Sequence, residues 1–416
     1  MFSSIFTNVI FNIGELLIML LTERHVIKKS NPLYKELDEM CFLSKNLYNQ
    51  ALYRVRQHYF NTKEYLNYCS NVELLTKEKQ VDYAALPAKV AQWVVKQVDQ
   101  NFRSFFGSLK SKKVNHKVSI PKYLKKDSRY TLTFTNQAIS RKELRLGYLK
   151  LCGCKNKIQT SHKDIRQVRV IPRNGYFVIE IIYNVEEKKH IDTGNYVGID
   201  IGLNNLAMIG GNKIEPVFIN GRPLKSTNQY YNKKLAKLKS RQDICKNKDV
   251  NSEKIKRLTF KRYTKIKDYL HKTSRMLVNH LVSKNVSKVV IGHNKDWKQD
   301  INLGKENNQK FVQIPFNIFI QMVTYKAQLE GIEVVQREES YTSKCSFLDK
   351  EEICKHETYK GKRIKRGLFR SNNGRLVNAD LNGALNILRK EVPNVFNEYG
   401  IEVCSTPVNL FTKQFI

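Results

Sequence analysis

The stretch YVGIDIG, residues 196–202, decides how the second half of this chain is read. Val197, Ile199 and Ile201 make it a buried strand, and Asp200 sits in its middle between Ile199 and Ile201. A lone carboxylate there is costly to bury without a partner or a metal. An Asp that merely ends a strand and caps a turn has no need of the glycines at 198 and 202. They leave room for backbone or phosphate to come close, so Asp200 reads as functional.

Working outward, short strands follow near 206–209 and 214–219, and a very basic helical stretch covers 226–286. Its Ile266, Leu270, Thr273, Leu277 and Leu281 recur at helical spacing. Strand KVVIG (288–292) comes next, then a polar loop with Trp297. Pro315 opens a helix that Gly331 closes, each in its preferred place. Strand IEVVQ (332–336), a Cys-containing basic insertion and a helix from about Ala379 to Lys390 complete the series. Three strands, helix, strand, helix, strand, helix is the order of the RNase H-like α/β fold. Asp380 opens the last helix in NADLNGALNILRK, where the helix dipole favours an acid in any protein. An acid on that helix is also what this fold brings beside Asp200. Converging carboxylates suit phosphodiester cleavage, in which two Mg²⁺ ions about 3.5–4 Å apart activate water and stabilise the leaving oxygen.

The rest of the chain agrees with a nucleic-acid partner. Lys and Arg number 73 against 38 Asp and Glu over 416 residues, a net charge of +35. That excess points to a polyanion, since each phosphate neutralised releases counterions. No single basic amphipathic segment carries it, which argues against a membrane surface. Eight scattered cysteines form no disulfide framework and suit a reduced, cytoplasmic, nucleoid-associated chain. The apolar opening of residues 1–18 is interrupted by Asn8, Asn12 and Glu15. It reads as a non-essential extension ahead of a start at Met19, neither signal peptide nor membrane span. Residues 34–60 and 86–109 read as amphipathic helices. From 118 to 190 the period changes to two in TLTF, LRLGYLKL and VRVIPRNGYFVIEIIY, with Asn174-Gly175 as a hairpin turn. These strands read as a small antiparallel β-barrel.

VGIDIGLNNLAMIGG, ESYTSKCS and NADLNGALNILRK, in this order, resemble the three signature regions of the transposon-encoded TnpB family, relatives of the type V CRISPR effectors. LPAKVAQWVVKQVDQNFRSFF resembles the family's recognition helices, and the 118–190 strands its wedge barrel. The resemblance implies a RuvC-like nuclease domain over 194–395, with a basic Cys-containing insertion at 343–377. It implies a wedge-type barrel from 19–33 and 111–193, a helical recognition insertion at 34–110 and a tail at 396–416. It implies a guide RNA that pairs with double-stranded DNA, the protein reading a short flanking motif and the heteroduplex backbone. Asp200 and Asp380 match two of the family's three metal-binding carboxylates.

The chain departs from the family at the third. The middle acid usually ends the strand that here reads KVVIG, where this chain has Gly292 and then His293. Adjacent strand ends lie about 5 Å apart, so an acid after IEVVQ reaches the same place. Glu339 stands three residues before Thr342, as in the Fanzor relatives, and is chosen over Glu338; Asp296 is a more distant option. Glu339 therefore joins Asp200 and Asp380 as catalytic ligand of two Mg²⁺ ions. The usual CxxC…CxxC ribbon is degenerate, with Cys345 and Cys354 (and His356) as remnant zinc ligands too few to close a site. Lys362, Arg363, Lys365 and Arg366 there, and Lys233, Lys234, Lys237 and Arg241 in the long basic stretch, are read as nucleic-acid contacts, with Tyr230 and Tyr231 able to stack. Two other functions compete: a nuclease-dead RNA-guided repressor, favoured by Gly292, and a guide-free DNA-binding accessory protein.

Overall fold

The computed structural model describes residues 11–13, 16–111, 118–244, 252–294, 313–396 and 406–410. Trp297 and Asp296 lie outside them. The chain divides into two units, Met1–Glu186 and Glu187–Ile416, seven residues before the boundary expected at 193.

In the first unit β1 (Phe11–Ile13) and β2 (Leu16–Lys28) precede α1 (Leu33–Thr62), α2 (Tyr68–Lys77), α3 (Val81–Ala85) and α4 (Ala88–Lys110). Then come β3 (Leu132–Thr135), α5 (Arg141–Arg145), β4 (Tyr148–Leu149), β5 (Ile158–Gln159), β6 (Ile165–Arg173) and β7 (Tyr176–Glu186). The main sheet is antiparallel in the order β1-β2-β7-β6-β3. β2 pairs with β7 from Ile18↔Glu186 to Lys28↔Tyr176, so Leu16–Ile18 of the expected extension belong to a strand. Helix α1 buries Leu37, Cys41, Ser44, Tyr48 and Ala51, the stripe expected from spacing. Helix α4 buries Val90, Val94, Val98 and Phe102, each large apolar side chain contributing about 1.5–3 kcal/mol.

One local expectation gives way. LRLG does not continue a strand, because Ser140 accepts from the Glu143 amide and caps the short helix α5. The Cys152-Gly-Cys154 pair lies in a turn, with Cys154 buried and Cys152 exposed. The hairpin at Asn174-Gly175 forms, Gly175 taking φ +87°.

The second unit begins with β8 (Tyr196–Ile201), β9 (Asn205–Gly211) and β10 (Val217–Asn220). Helices α6 (Arg222–Ile244) and α7 (Glu253–Ser283) follow, where one helical stretch was expected. Next are β11 (Lys288–Gly292), α8 (Phe316–Leu329) and β12 (Glu333–Arg337). A small antiparallel sheet of β13 (Lys362–Lys365), β14 (Leu368–Arg370) and β15 (Leu376–Asn378) leads into α9 (Ala379–Glu391), with β16 (Val408–Asn409) last. The large sheet runs β12-β11-β8-β9-β10-β16. Strands β8, β11 and β12 are mutually parallel, while β9 runs antiparallel to β8 and β10. Parallel strands need long crossovers, which α6 with α7, and α8, provide. Leu270, Leu277 and Leu281 of α7 are buried in a cluster with Val197, Ile199 and Ile201 of β8. Among the described residues no helix is long and apolar enough to cross a membrane.

Candidate active site

Parallel strands put their carboxyl ends at one edge of the sheet. The register Ile291↔Ile199 and Gly292↔Arg337 sets Asp200, Gly292 and Arg337 level on β8, β11 and β12. Helix α9 crosses this edge at very short range. A Cβ on Gly198 would lie 2.0 Å from the Ala384 carbonyl oxygen, and one on Gly383 would lie 2.9 Å from Asp200 Oδ2. Only residues without side chains allow that approach, which is the physical use of Gly198 in the strand and Gly383 in the helix.

The polar residues of NADLNGALN each hold part of this edge. Asn378 caps α9, its side chain accepting from the amides of Asp380 and Leu381 at 2.9 and 3.2 Å. Asp380 follows in the first turn and faces the sheet edge. Asn382 and Asn386, four apart on one face and fully buried, hold the segment after β12. Asn386 Nδ2 donates to the carbonyls of Thr342 and Cys345 at 2.9 and 2.8 Å, and Asn382 Nδ2 to Cys345 at 2.9 Å. That segment carries Glu339. The Glu339 carbonyl accepts from Thr342 Oγ1 at 2.8 Å, and its amide and carboxylate both bond Asn294, just beyond β11. Its other oxygen, Oε2, lies 2.8 Å from where a Gly292 Cβ would stand. The glutamate from the neighbouring segment thus fills the space that a side chain on Gly292 would take. Glu338 is exposed.

Charge is concentrated here. Burial pushes the Asp200 carboxyl well above the usual carboxylate range, with the nearby charges of Glu339 and then Asp380 adding to it and Arg363 opposing. Burial also raises Glu339. Asp380 is half-buried, receives Asn205 Nδ2 at 2.8 Å and pairs with Arg363 at 3.4 Å. Among the described residues no three His, Cys, Asp or Glu side chains are arranged to hold one metal ion. Each outer carboxylate is held by its own donor: Glu339 by Asn294, Asp380 by Asn205 and Arg363.

Lys233, Lys234, Lys237 and Arg241 are exposed on α6, and Lys362, Arg363, Lys365 and Arg366 on and just after β13. Tyr230 is exposed beneath Lys234, while Tyr231 lies under Arg262. Arg363 was expected only at nucleic acid, and its pairing with Asp380 also ties it to the acidic cluster. The remnant ribbon is held by another device. Buried Glu351 accepts from the amides of Ser346 and Lys360 at 2.7 and 2.9 Å. Cys345 is buried and its Sγ points to the Cys354 carbonyl at 3.7 Å, while Cys354 Sγ lies 3.3 Å from His356 Nε2. The two cysteines expected as zinc remnants therefore do not share one center with a third ligand among the described residues. Asn205, Asn294, Asn382, Asn386 and Glu351 escaped the sequence reading. Asparagines in a polar-rich chain carry no local signal until their partners are known.

Residues 180–298 match a family described as probable transposase, and residues 316–387 match the Cas12f1-like TNB domain. Two separate segments of the chain are therefore similar to a transposase family and to a domain of Cas12f1-like proteins. The TnpB-like protein ORF457 of Acidianus two-tailed virus is 25% identical over 414 residues, covering 88% of this chain and 85% of that one. The CRISPR-associated endodeoxyribonuclease Cas12f2 of Micrarchaeota archaeon (strain CG1_02_47_40) is 28% identical over 251 residues, 55% of this chain but only 43% of that protein. Among solved structures, a Cas12f1–sgRNA–target DNA complex aligns at TM-score 0.35 and 18% identity, covering 88% of this chain and 98% of that one. The mini-RNA-guided endonuclease CRISPR-Cas_phi3 aligns at TM-score 0.41 and 9% identity, covering 89% and 92%. The chain is thus similar to a TnpB-like protein at 25% identity over most of its length, and two of its segments are similar to a transposase family and to a Cas12f1-like domain.

Proposed function

We propose that this protein is a transposon-associated, RNA-guided endonuclease that cuts double-stranded DNA at a RuvC-like site made by Asp200, Glu339 and Asp380. The observation that carries the reading is the meeting of the three acids' charges at one sheet edge, with Glu339 Oε2 over Gly292. The strand order β12-β11-β8-β9-β10, with β9 reversed, supports an RNase H-like domain. We read the antiparallel sheet of the first unit as the wedge and its helices as the recognition insertion. The relatives' own names support a guide RNA and a DNA target.

The donor set fits Mg²⁺, because all three groups offer hard carboxylate oxygens, and Asp200, buried beside two other acids, resists ionising until a cation offsets the charge. When bound, Mg²⁺ would supply Lewis-acid activation of water and neutralise charge on the departing oxygen. The chain's own residues prepare this. Gly198 and Gly383 bring Asp200 and α9 together, Asn205 orients Asp380, and the cations of α6 and β13 draw in the phosphate backbone.

Purification beside the adjacent transposon end tests the reading. A discrete RNA should copurify, and the complex should cut a matched duplex in Mg²⁺ but not in EDTA, with Asp200→Asn inert yet still binding. Tight guided binding without cutting by the natural protein would instead favour a repressor, the reading that the separately paired carboxylates support. Purification without RNA would favour the guide-free accessory protein.

A further inference from the structure

Glu339 belongs to a segment with no regular structure, yet its carboxylate must stand at a fixed point over Gly292. Strand pairing ends just before it: the His293 amide still donates to the Arg337 carbonyl at 2.8 Å. One residue further along, the ladder is continued by a side chain. Asn294 Oδ1 accepts the Glu339 amide at 3.2 Å, and Asn294 Nδ2 donates to Glu339 Oε1 at 3.1 Å. One amide group thus grips both the backbone and the carboxylate of the same residue. Only one orientation of the amide serves both partners, because an amide N–H needs an acceptor and a carboxylate needs a donor. The two carboxylate oxygens are thereby divided: Oε1 is held by Asn294, and Oε2 is left over Gly292.

We infer that Asn294 is the positioning residue of the relocated acid: it continues the β11–β12 ladder by one rung and turns Glu339 Oε2 toward Asp200. This rests on the proposal that Glu339 is a metal ligand. A glutamate on β11 itself would be aimed by its strand. One from the neighbouring segment has more backbone freedom to lose and needs a partner to fix it. Asn294 touches neither the metal nor the substrate in this scheme. Removing it should weaken metal binding more than it slows cutting once the metal is saturating.

The test titrates Mn²⁺ into the full chain without nucleic acid, followed by electron paramagnetic resonance, with Asp200→Asn defining the non-specific background. Mg²⁺-dependence of guided cleavage is measured in parallel. Asn294→Leu, near in shape but unable to bond either partner, should lower specific Mn²⁺ affinity and raise the Mg²⁺ needed for half-maximal cutting by about 10-fold or more. Maximal cutting at high Mg²⁺ should fall much less. Asn294→Gln keeps the amide and should recover part of the affinity, and Asn294→Ala covers the case in which the leucine variant does not fold. Unchanged Mn²⁺ affinity and Mg²⁺ requirement in folded Asn294→Leu or Asn294→Ala, while Glu339→Gln abolishes both binding and cutting, would overturn the inference and leave the site intact. If Glu339→Gln itself binds Mn²⁺ and cuts like the natural protein, the metal-ligand reading fails, and the role of Asn294 with it.

Discussion

Replacing Gly292 by alanine adds a single methyl group at the point where the acid is held. That Cβ would stand 2.8 Å from Glu339 Oε2 and 2.5 Å from Ile387 Cδ1. Ordinary contact begins near 3.4 Å, so the carboxylate must retreat by about 0.6 Å and the isoleucine by about 0.9 Å. Both obstacles are ends of side chains, which can move, so the variant should fold with a loss of about 1–3 kcal/mol typical of overpacking. Function should suffer more than folding. A misplacement near 1 Å in a catalytic group lowers rates by about 100-fold, so a 0.6 Å retreat should slow cutting by roughly 10- to 100-fold. The assay is single-turnover cleavage of a matched duplex by the guide-loaded protein, with thermal melting to confirm the fold. A folded Gly292→Ala protein that cuts within twofold of the natural rate would refute the placement of Glu339 over that glycine.

Other substitutions separate neighbouring roles. Gly198→Ala meets backbone, the Ala384 carbonyl oxygen at 2.0 Å, and should yield little folded protein by expression and melting; a soluble variant with natural stability would contradict the close α9 crossing. Asp200→Asn should melt higher than the natural protein without metal, because folding no longer takes that carboxylate out of water beside Glu339 and Asp380. Its raised folded-state value means that the native state keeps a proton which the unfolded chain releases near pH ~3.9, so stability declines as pH rises through the folded value. The variant's advantage should therefore widen with pH over that window and then level off, and an equal or lower melting point throughout would count against the buried charge. Glu351→Ala leaves the Ser346 and Lys360 amides without their acceptor, at about 1–3 kcal/mol each. Limited proteolysis should then cut within 341–378, and unchanged resistance would show that the insertion is held some other way.

The strand and helix order of the second unit was legible because buried parallel strands read as apolar runs and long helices keep their period, as β8 and α7 show. Asp200 stood out because a charge among β-branched residues has few other uses. The division into α6 and α7 was not legible, since one basic, weakly amphipathic stretch continues across 244–253. Helix α5 was hidden because LRLG alternates like a strand and only its Ser140 cap decides otherwise. The amide partners Asn205 and Asn294 depend on contacts 175 and 45 residues distant in the chain, which no local pattern encodes.

The central assignment is that Glu339 supplies the carboxylate that Gly292 lacks, and it is tested most directly by charge removal at constant shape. Glu339→Gln and Glu338→Gln, each loaded with the same guide RNA, are compared with the natural protein for cleavage and for binding of one matched duplex. Glu339→Gln should bind within twofold of the natural protein and cut at least about 100-fold more slowly, as expected when a metal-site carboxylate loses its charge. Glu338→Gln, altered at an exposed side chain, should cut at nearly the natural rate. Natural-rate cleavage by Glu339→Gln would contradict the assignment.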